Sequence, residues 1–445
     1  MNWINDSNFS LELASLLTKV KHAKRSDDNY YGFIFNEGLG GFKNENSYYN
    51  MNYSDVGFRI LSLFRYWNII QYYFPYKNLI GEDWKGVLKE FIPKLNNASN
   101  EIEYKLTVLE LIVRVHDTHA NIWGDDQTLK IYWGVNYAPV EIRFIENKAV
   151  VTDYYEQNLG MKSGLQIGDV ITKINGKPVE KIVLDKLKYT SASNYPRQLM
   201  DIGSNLLRTN DSALKIEYTR DGKLNEIEIK TFSTNKININ KRNQRKDTCF
   251  KFINPDISYI YPGTIKNDYL PDIMNTIKNT KGLIIDLRCY PSETIVYSLG
   301  KYLMPDSIAF VRLSSGSNTD PGTFVISDVL KVGEKNGNYY KGKVIILINE
   351  ITWSNAEFTT MAFRLAPKAT VIGSTTAGSD GNVTQFNLPG GLYTGISGFG
   401  VYYPDGRETQ RIGIVPDIEV KPTIDGIKMK KDELLEKAIE IIKEH

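Results

Sequence analysis

Val344, Ile345, Ile346, Leu347 and Ile348 follow one another without a polar residue, and that run restricts the fold more than any other feature of the chain. A short β-branched run with no alternation fits a strand covered on both faces, as in a parallel sheet flanked by helices. A polar-to-aromatic connection, Asn349-Glu350-Ile351-Thr352-Trp353, comes next. Ser354-Asn355-Ala356-Glu357-Phe358 then opens a helical pattern with Phe358, Met361, Ala362 and Leu365 on one face. Ser354 therefore falls where a strand hands over to a helix N-terminus. Open α/β sheets bind ligands at such places, and free backbone N–H groups with the helix dipole favour developing negative charge there. Two readings of Ser354 stand at this point: a nucleophile with an oxyanion site beside it, or a helix N-cap with Glu357 closing a capping box.

A chain of 445 residues holds about three domains, each long enough to bury its own core. Hydrophobic residues make up 42% and charged residues 24%, ordinary for a globular protein. The net charge of +2 gives no electrostatic basis for binding nucleic acid or an anionic membrane. No apolar run reaches the length of a membrane span, and the N-terminal segment lacks the basic-then-apolar order of a signal peptide. Two cysteines, Cys249 and Cys289, cannot build a disulfide framework and read as a buried pair of small hydrophobes.

The chain divides by pattern. Residues 1–50 read as an irregular, aromatic-rich segment with a short amphipathic stretch over 11–20. Residues 51–130 read as a helical region: one helix capped at Ser54-Asp55 and closed by Pro75, a second over 84–92 ended by Pro93, and a third running from a cap at 97–99 to His116-Asp117-Thr118-His119. Over 131–234 the pattern turns to strands. Residues 235–249 contain a polar, basic run and read as a linker. From 250 to 445 strands alternate with helices, which argues a parallel α/β sheet with a terminal amphipathic helix. The fold class expected is thus multidomain α/β.

His22, His116, His119 and His445 are the histidines of the chain. A general base drawn from them falls on His116 or His119; each also fits a structural role, and their i, i+3 spacing with Asp117 between them offers a minor metal reading, which no other cluster of Cys, His or carboxylates supports.

Several separated pieces resemble known families. Residues 163–179, with Gly168-Asp169-Val170-Ile171 and Ile174-Asn175-Gly176, resemble a stretch of PDZ domains, which bind extended peptides at a sheet edge. Asp286-Leu287-Arg288-Cys289-Tyr290-Pro291-Ser292-Glu293, Ser354-Asn355-Ala356-Glu357 and Gly413-Ile414-Val415-Pro416-Asp417 resemble, in order, segments of the C-terminal-processing (tail-specific) and tricorn-like serine peptidases. That resemblance implies a helical region, a PDZ-like domain and a crotonase-like α/β catalytic domain. The processing branch uses a lysine general base; Ser379 stands in its place, and a hydroxyl cannot accept the nucleophile's proton at neutral pH. The tricorn-like branch uses a histidine before the PDZ domain. The resemblance therefore implies Ser354 as nucleophile and His119 as general base, with Thr118 and Glu408 as the orienting relay and Glu357 as the rival carboxylate. Backbone N–H groups of Asn355 and Ser292 would form the oxyanion site, although Ser292 and Glu293 replace the family's glycines.

The function expected is a serine endopeptidase without metal or cofactor, acting on a protein or peptide substrate and exported with its leader absent from this chain; a cytoplasmic location stays open. A degenerate peptide-binding protein and an esterase-type acyl hydrolase are the alternatives.

Overall fold

The computed structural model describes residues 4, 9–24, 29–35, 37–240 and 248–444. Residues 241–247, within the expected linker, and His445 lie outside the described residues.

The apolar run forms strand Lys343–Ile348 inside a six-stranded sheet. Its neighbours are Gly282–Asp286 and Ala369–Gly373, both parallel to it. Ile257–Ile260 and Ile418–Glu419 extend the parallel set, and Phe250–Asn254 closes one edge antiparallel. Val344, Ile346 and Ile348 face a core shared with helices Leu270–Ile277, Val296–Leu303 and Asn355–Phe363. Ile345 and Leu347 face the opposite core, closed by helix Glu433–Lys443. Both faces of the strand are therefore covered, which is why the run carries no polar position. Burying each such side chain is worth about 1.5–3 kcal/mol. The two cysteines do not form a pair: half-buried Cys249 packs on the first core and buried Cys289 on the second.

Upstream, helices Val56–Tyr73, Trp84–Asn97 and Glu101–Val113 pack together, capped by Asp55, Asp83 and Asn100. The second helix passes through Pro93 rather than ending there. Proline removes one backbone bond, but Phe91 and Leu95, both wholly buried on either side of it, hold the helix against the core. The third helix stops at Val113, before the histidines, and His116 adopts a φ of +53°.

Residues 131–234 form antiparallel strands in the order Lys223–Lys230, Ala213–Arg220, Val170–Ile174, Lys148–Tyr154, Val140–Ile145. Asn175 and Gly176, at φ +48° and +77°, make the hairpin turn that their sequence announced. Asp169 of the Gly-Asp corner accepts from Arg220 at 2.7 Å and from the Gln166 N–H at 2.7 Å, tying the corner to the neighbouring strand. Two helices cover this sheet that the strand pattern hid, Val179–Leu187 and Tyr195–Ser204. The Asn194 cap and Pro196 were a readable start signal for the second.

The hairpin Val383–Leu388 and Leu392–Ser397 departs from the division at residue 250. Phe386, Leu388, Leu392 and Ile396 join the core of the helical region, beside Tyr66 and Tyr104. Pattern alone cannot show which core an amphipathic hairpin will join. No described helix is long and apolar enough to cross a membrane.

Candidate active site

The turn after strand Lys343–Ile348 is held by its own polar side chains. Thr352 Oγ1 donates to the Leu287 carbonyl at 2.8 Å and accepts from the Asn349 N–H at 3.1 Å. Asn349 Oδ1 accepts from the Ile351 N–H at 2.9 Å. This lacing drives the chain into Ser354 at φ +52°, ψ −121°. Asp55 and Asn100, ordinary caps, sit at negative φ with extended ψ. A serine at positive φ is strained by about 1–3 kcal/mol, and such strain clusters at functional turns.

Glu357 locks that conformation. Its carboxylate, wholly buried, accepts from the N–H groups of Ser354 at 3.2 Å, Gly378 at 2.8 Å and Ser379 at 2.9 Å, and from Thr376 Oγ1. Burial pushes its pKa up, and these donors pull against the rise. The Ser354 N–H is shared with the Ser379 carbonyl at 2.9 Å. Asn355 is the first residue of the helix, so its N–H is among those with no partner inside the helix.

His119 reaches this turn from the helical region, 235 positions upstream by subtraction of its number from that of Ser354. Its ring lies tilted against Trp353, the residue before Ser354, with centroids 5.3 Å apart. Every hydrogen bond described for the ring is at Nδ1: Ser397 Oγ at 2.9 Å and Ser379 Oγ at 3.0 Å. Both hydroxyls donate to Asp117 Oδ1, at 3.0 and 3.1 Å. Hydroxyls committed to a carboxylate present lone pairs to Nδ1, which favours the Nδ1–H tautomer and leaves the lone pair on Nε2. Burial pushes the His119 pKa down; Asp117 raises it and Arg197 lowers it further.

Asp117, wholly buried, also accepts from the N–H groups of Ser397 at 2.6 Å and His119 at 3.1 Å, and from Gln410 Nε2 at 3.3 Å. It stands 3.6 Å from His119 Nδ1. The expected relay through Thr118 to Glu408 does not assemble. Thr118 Oγ1 accepts from the Ser193 N–H at 3.0 Å, and Glu408 accepts from Asn78 Nδ2 at 3.1 Å. The chain enters the buried site only past Glu408, at Thr409 and Gln410. The expected oxyanion donor Ser292 is also engaged elsewhere: its N–H donates to the Pro262 carbonyl at 3.0 Å. With side chains in place of glycines, that turn folds back on residues 262–265, where the Ser292 hydroxyl bonds the Ile265 carbonyl.

His116, the other candidate, does not share these contacts. Asp117, two residues before His119, was legible as a neighbouring carboxylate. Ser379 drew notice only as a missing lysine, and Ser397, ending a strand, gave no signal.

A serine at a strained strand-to-helix turn of a parallel sheet, with a histidine brought near it from another part of the chain, is a layout that serine hydrolases build on α/β folds. Residues 257–420 match Peptidase family S41, and the chain carries a domain of that family, as the three sequence segments implied. A Staphylococcus haemolyticus protein named "Probable CtpA-like serine protease" is 24% identical over 285 residues, covering 63% of this chain and 51% of that protein. The chain thus spans about half the length of the curated relative it matches. The structure of mature CPAF complexed with lactacystin is similar with a TM-score of 0.69 at 14% identity, covering 87% of this chain and 98% of the other. A crystal structure of mature CPAF gives a TM-score of 0.67 at 14% identity, covering 87% of this chain and 97% of the other. At that identity the likeness is one of fold.

Proposed function

We propose that this protein is a serine endopeptidase in which Ser354 is the nucleophile and His119 the general base. The observation that carries the reading is the packing of the buried His119 ring, tilted, against Trp353, the residue before the strained Ser354. Ser354 Oγ attacks the scissile carbonyl while its proton passes to His119 Nε2; positioned bases of this kind contribute about 10²–10⁴-fold. The carbonyl oxygen, now negative, is met by the Asn355 N–H, and one such donor is worth about 3 kcal/mol. His119, now an imidazolium, keeps Nδ1–H on the Ser379 and Ser397 hydroxyls, whose own protons rest on Asp117. Asp117 thereby takes the orienting role that the sequence assigned to Glu408. His119 returns the proton to the leaving amine, and water then cleaves the acyl-enzyme by the same route.

The fold of residues 131–234, with its Asn-Gly hairpin and Gly-Asp corner, supports the PDZ-like reading of this part and hence a protein or peptide substrate. An exported location accords with that use.

The occupied Ser292 N–H favours a second reading, a peptide-binding protein of the same fold without turnover. A fluorophosphonate probe separates the two. Labelling of the wild type that is lost in Ser354→Ala and weakened in His119→Ala is the expected result; no labelling at any pH from 6 to 9 overturns the catalytic reading.

A further inference from the structure

The amphipathic stretch near the N-terminus takes no part in the site. Residues Leu11–His22 form a helix, capped where Ser10 Oγ accepts from the Leu13 N–H at 3.3 Å, and none of the 12 is buried. A helix of that length is marginal in water by itself, and most helices in proteins are held by burying an apolar face. Here that face is left open. Leu13, Leu16, Leu17 and Val20 follow the i, i+3, i+4, i+7 spacing of one stripe. Leu13, Leu16 and Val20 are 43%, 51% and 64% exposed.

The charges around the stripe indicate what kind of surface covers it. At about 3.6 residues per turn, Lys19 and Lys21 fall roughly 100° to either side of the stripe's centre. Lysine stems so placed lie along an apolar surface and lift their ammonium groups into a polar layer above it. Lys24 comes just after the helix, and the one acid within the helix is Glu12. Among the described residues, none of these three lysines forms an ion pair. The +2 of the whole chain averages this local excess away. Beyond the helix, Tyr30 and Tyr31 are also exposed, and tyrosine suits the boundary between water and acyl chains. A protein groove would have to enclose the helix and set acids along both lips. A flat anionic layer receives an open apolar stripe with cations along both edges as it stands.

We propose that helix Leu11–His22 lies in the plane of an anionic lipid surface. Leu13, Leu16, Leu17 and Val20 enter the acyl boundary, and Lys19, Lys21 and Lys24 meet the head-group phosphates. The helix thereby holds the protein against a bilayer without crossing it. One short helix buries little area, so the binding is reversible. The proposal stands apart from the catalytic reading, since neither Ser354 nor His119 enters it.

Flotation of the full-length protein with lipid vesicles tests it. Two compositions are compared: phosphatidylcholine alone, and phosphatidylcholine mixed equally with phosphatidylglycerol. The anionic mixture is expected to bind about tenfold more tightly than the neutral vesicles at low salt. Raising the salt to ~0.5 M is expected to remove most of that preference, because surface charge is then screened. Leu16→Asp combined with Val20→Asp is expected to abolish flotation on both compositions. Lys19→Gln combined with Lys21→Gln is expected to weaken binding to the anionic mixture alone, by about tenfold. All four positions are exposed, and an unchanged melting temperature shows that the variants are folded. No flotation with the anionic mixture, equal binding to the two compositions, or wild-type flotation of the Leu16→Asp, Val20→Asp variant overturns the proposal. A dimer seen by sedimentation velocity and dissolved by that same pair of substitutions also overturns it, since a second copy then covers the face. The comparison of the two compositions needs no substitution. Flotation without fluorophosphonate labelling would sink the catalytic reading and leave the anchor standing; labelling without flotation would do the reverse.

Discussion

His119 sits among groups that set its proton rather than share it. Its lowered pKa keeps the ring neutral at pH 7, the form a general base needs. The acid limb of kcat/KM is therefore expected below the ordinary histidine value of about 6.5, and a pH–rate profile on any cleaved peptide measures it. The same shift bears on stability. Below the ordinary value the unfolded ring takes up a proton that the folded ring refuses, so stability from this group falls as pH drops toward the folded pKa. Asp117→Asn removes the carboxylate that receives both serine hydroxyls, and kcat is expected to fall by about 10²–10⁴-fold. Asp380 shows the opposite case. It is buried, Oδ1 accepts from the Gly381 N–H at 2.7 Å, and Oδ2 has no hydrogen-bond partner among the described residues. Burial, with Glu357 adding to it, pushes its pKa well up. A carboxyl held protonated when folded contributes stability below its ordinary pKa and loses it as pH rises through the folded value. Asp380→Asn should therefore be more stable than wild type at pH 9 and lose that advantage toward pH 5, as denaturant midpoints would show.

The strand–turn–helix unit is where local sequence and tertiary demand disagree. Five consecutive apolar residues prescribe a buried strand, and Glu357 prescribes a helix start. Neither prescribes a serine at positive φ, which the lacing of Asn349 and Thr352 imposes. Glycine adopts that backbone without strain. Ser354→Gly is expected to be more stable than Ser354→Ala by about 1 kcal/mol, while both lose turnover; paired denaturant titrations check the difference. On the adjacent strand, Gly373 lies at φ +133°, and a Cβ there would come 1.9 Å from the Ile348 carbonyl oxygen. Gly373→Ala must shift the two parallel strands apart where the 373–381 loop leaves the sheet. A loss of about 2 kcal/mol or more is expected, measured by thermal melting.

Across the molecule, the candidate site draws on stretches that no local pattern joins: 117–119, 193–197, 353–379 and 397–410. The Thr118–Ser193 contact and the Arg197–Trp353 stack bind the β-rich part to both halves of the site. Movement of residues 131–234 is therefore expected to reach His119 and not merely to open a path. Arg197 is also one of the groups holding the His119 pKa down. Arg197→Gln should move the acid limb of kcat/KM toward higher pH, whereas a purely structural loss would lower the whole profile without displacing it.

The sequence by itself determined the buried strand, its helix and the serine between them, the Asn-Gly hairpin, and the three helices upstream, because each is written in local periodicity, caps and turn residues. His119 became a candidate base through a family resemblance and through no local pattern. Tertiary structure alone decided which carboxylate attends that histidine, since Asp117 and Glu408 are both plausible on paper and only packing separates them. It likewise decided that the 383–397 hairpin joins the helical core and that the Ser292 N–H turns to Pro262. Hydrogen-bond partners and core membership depend on residues distant in sequence, and a local pattern holds no record of which of several compatible neighbours folding will bring.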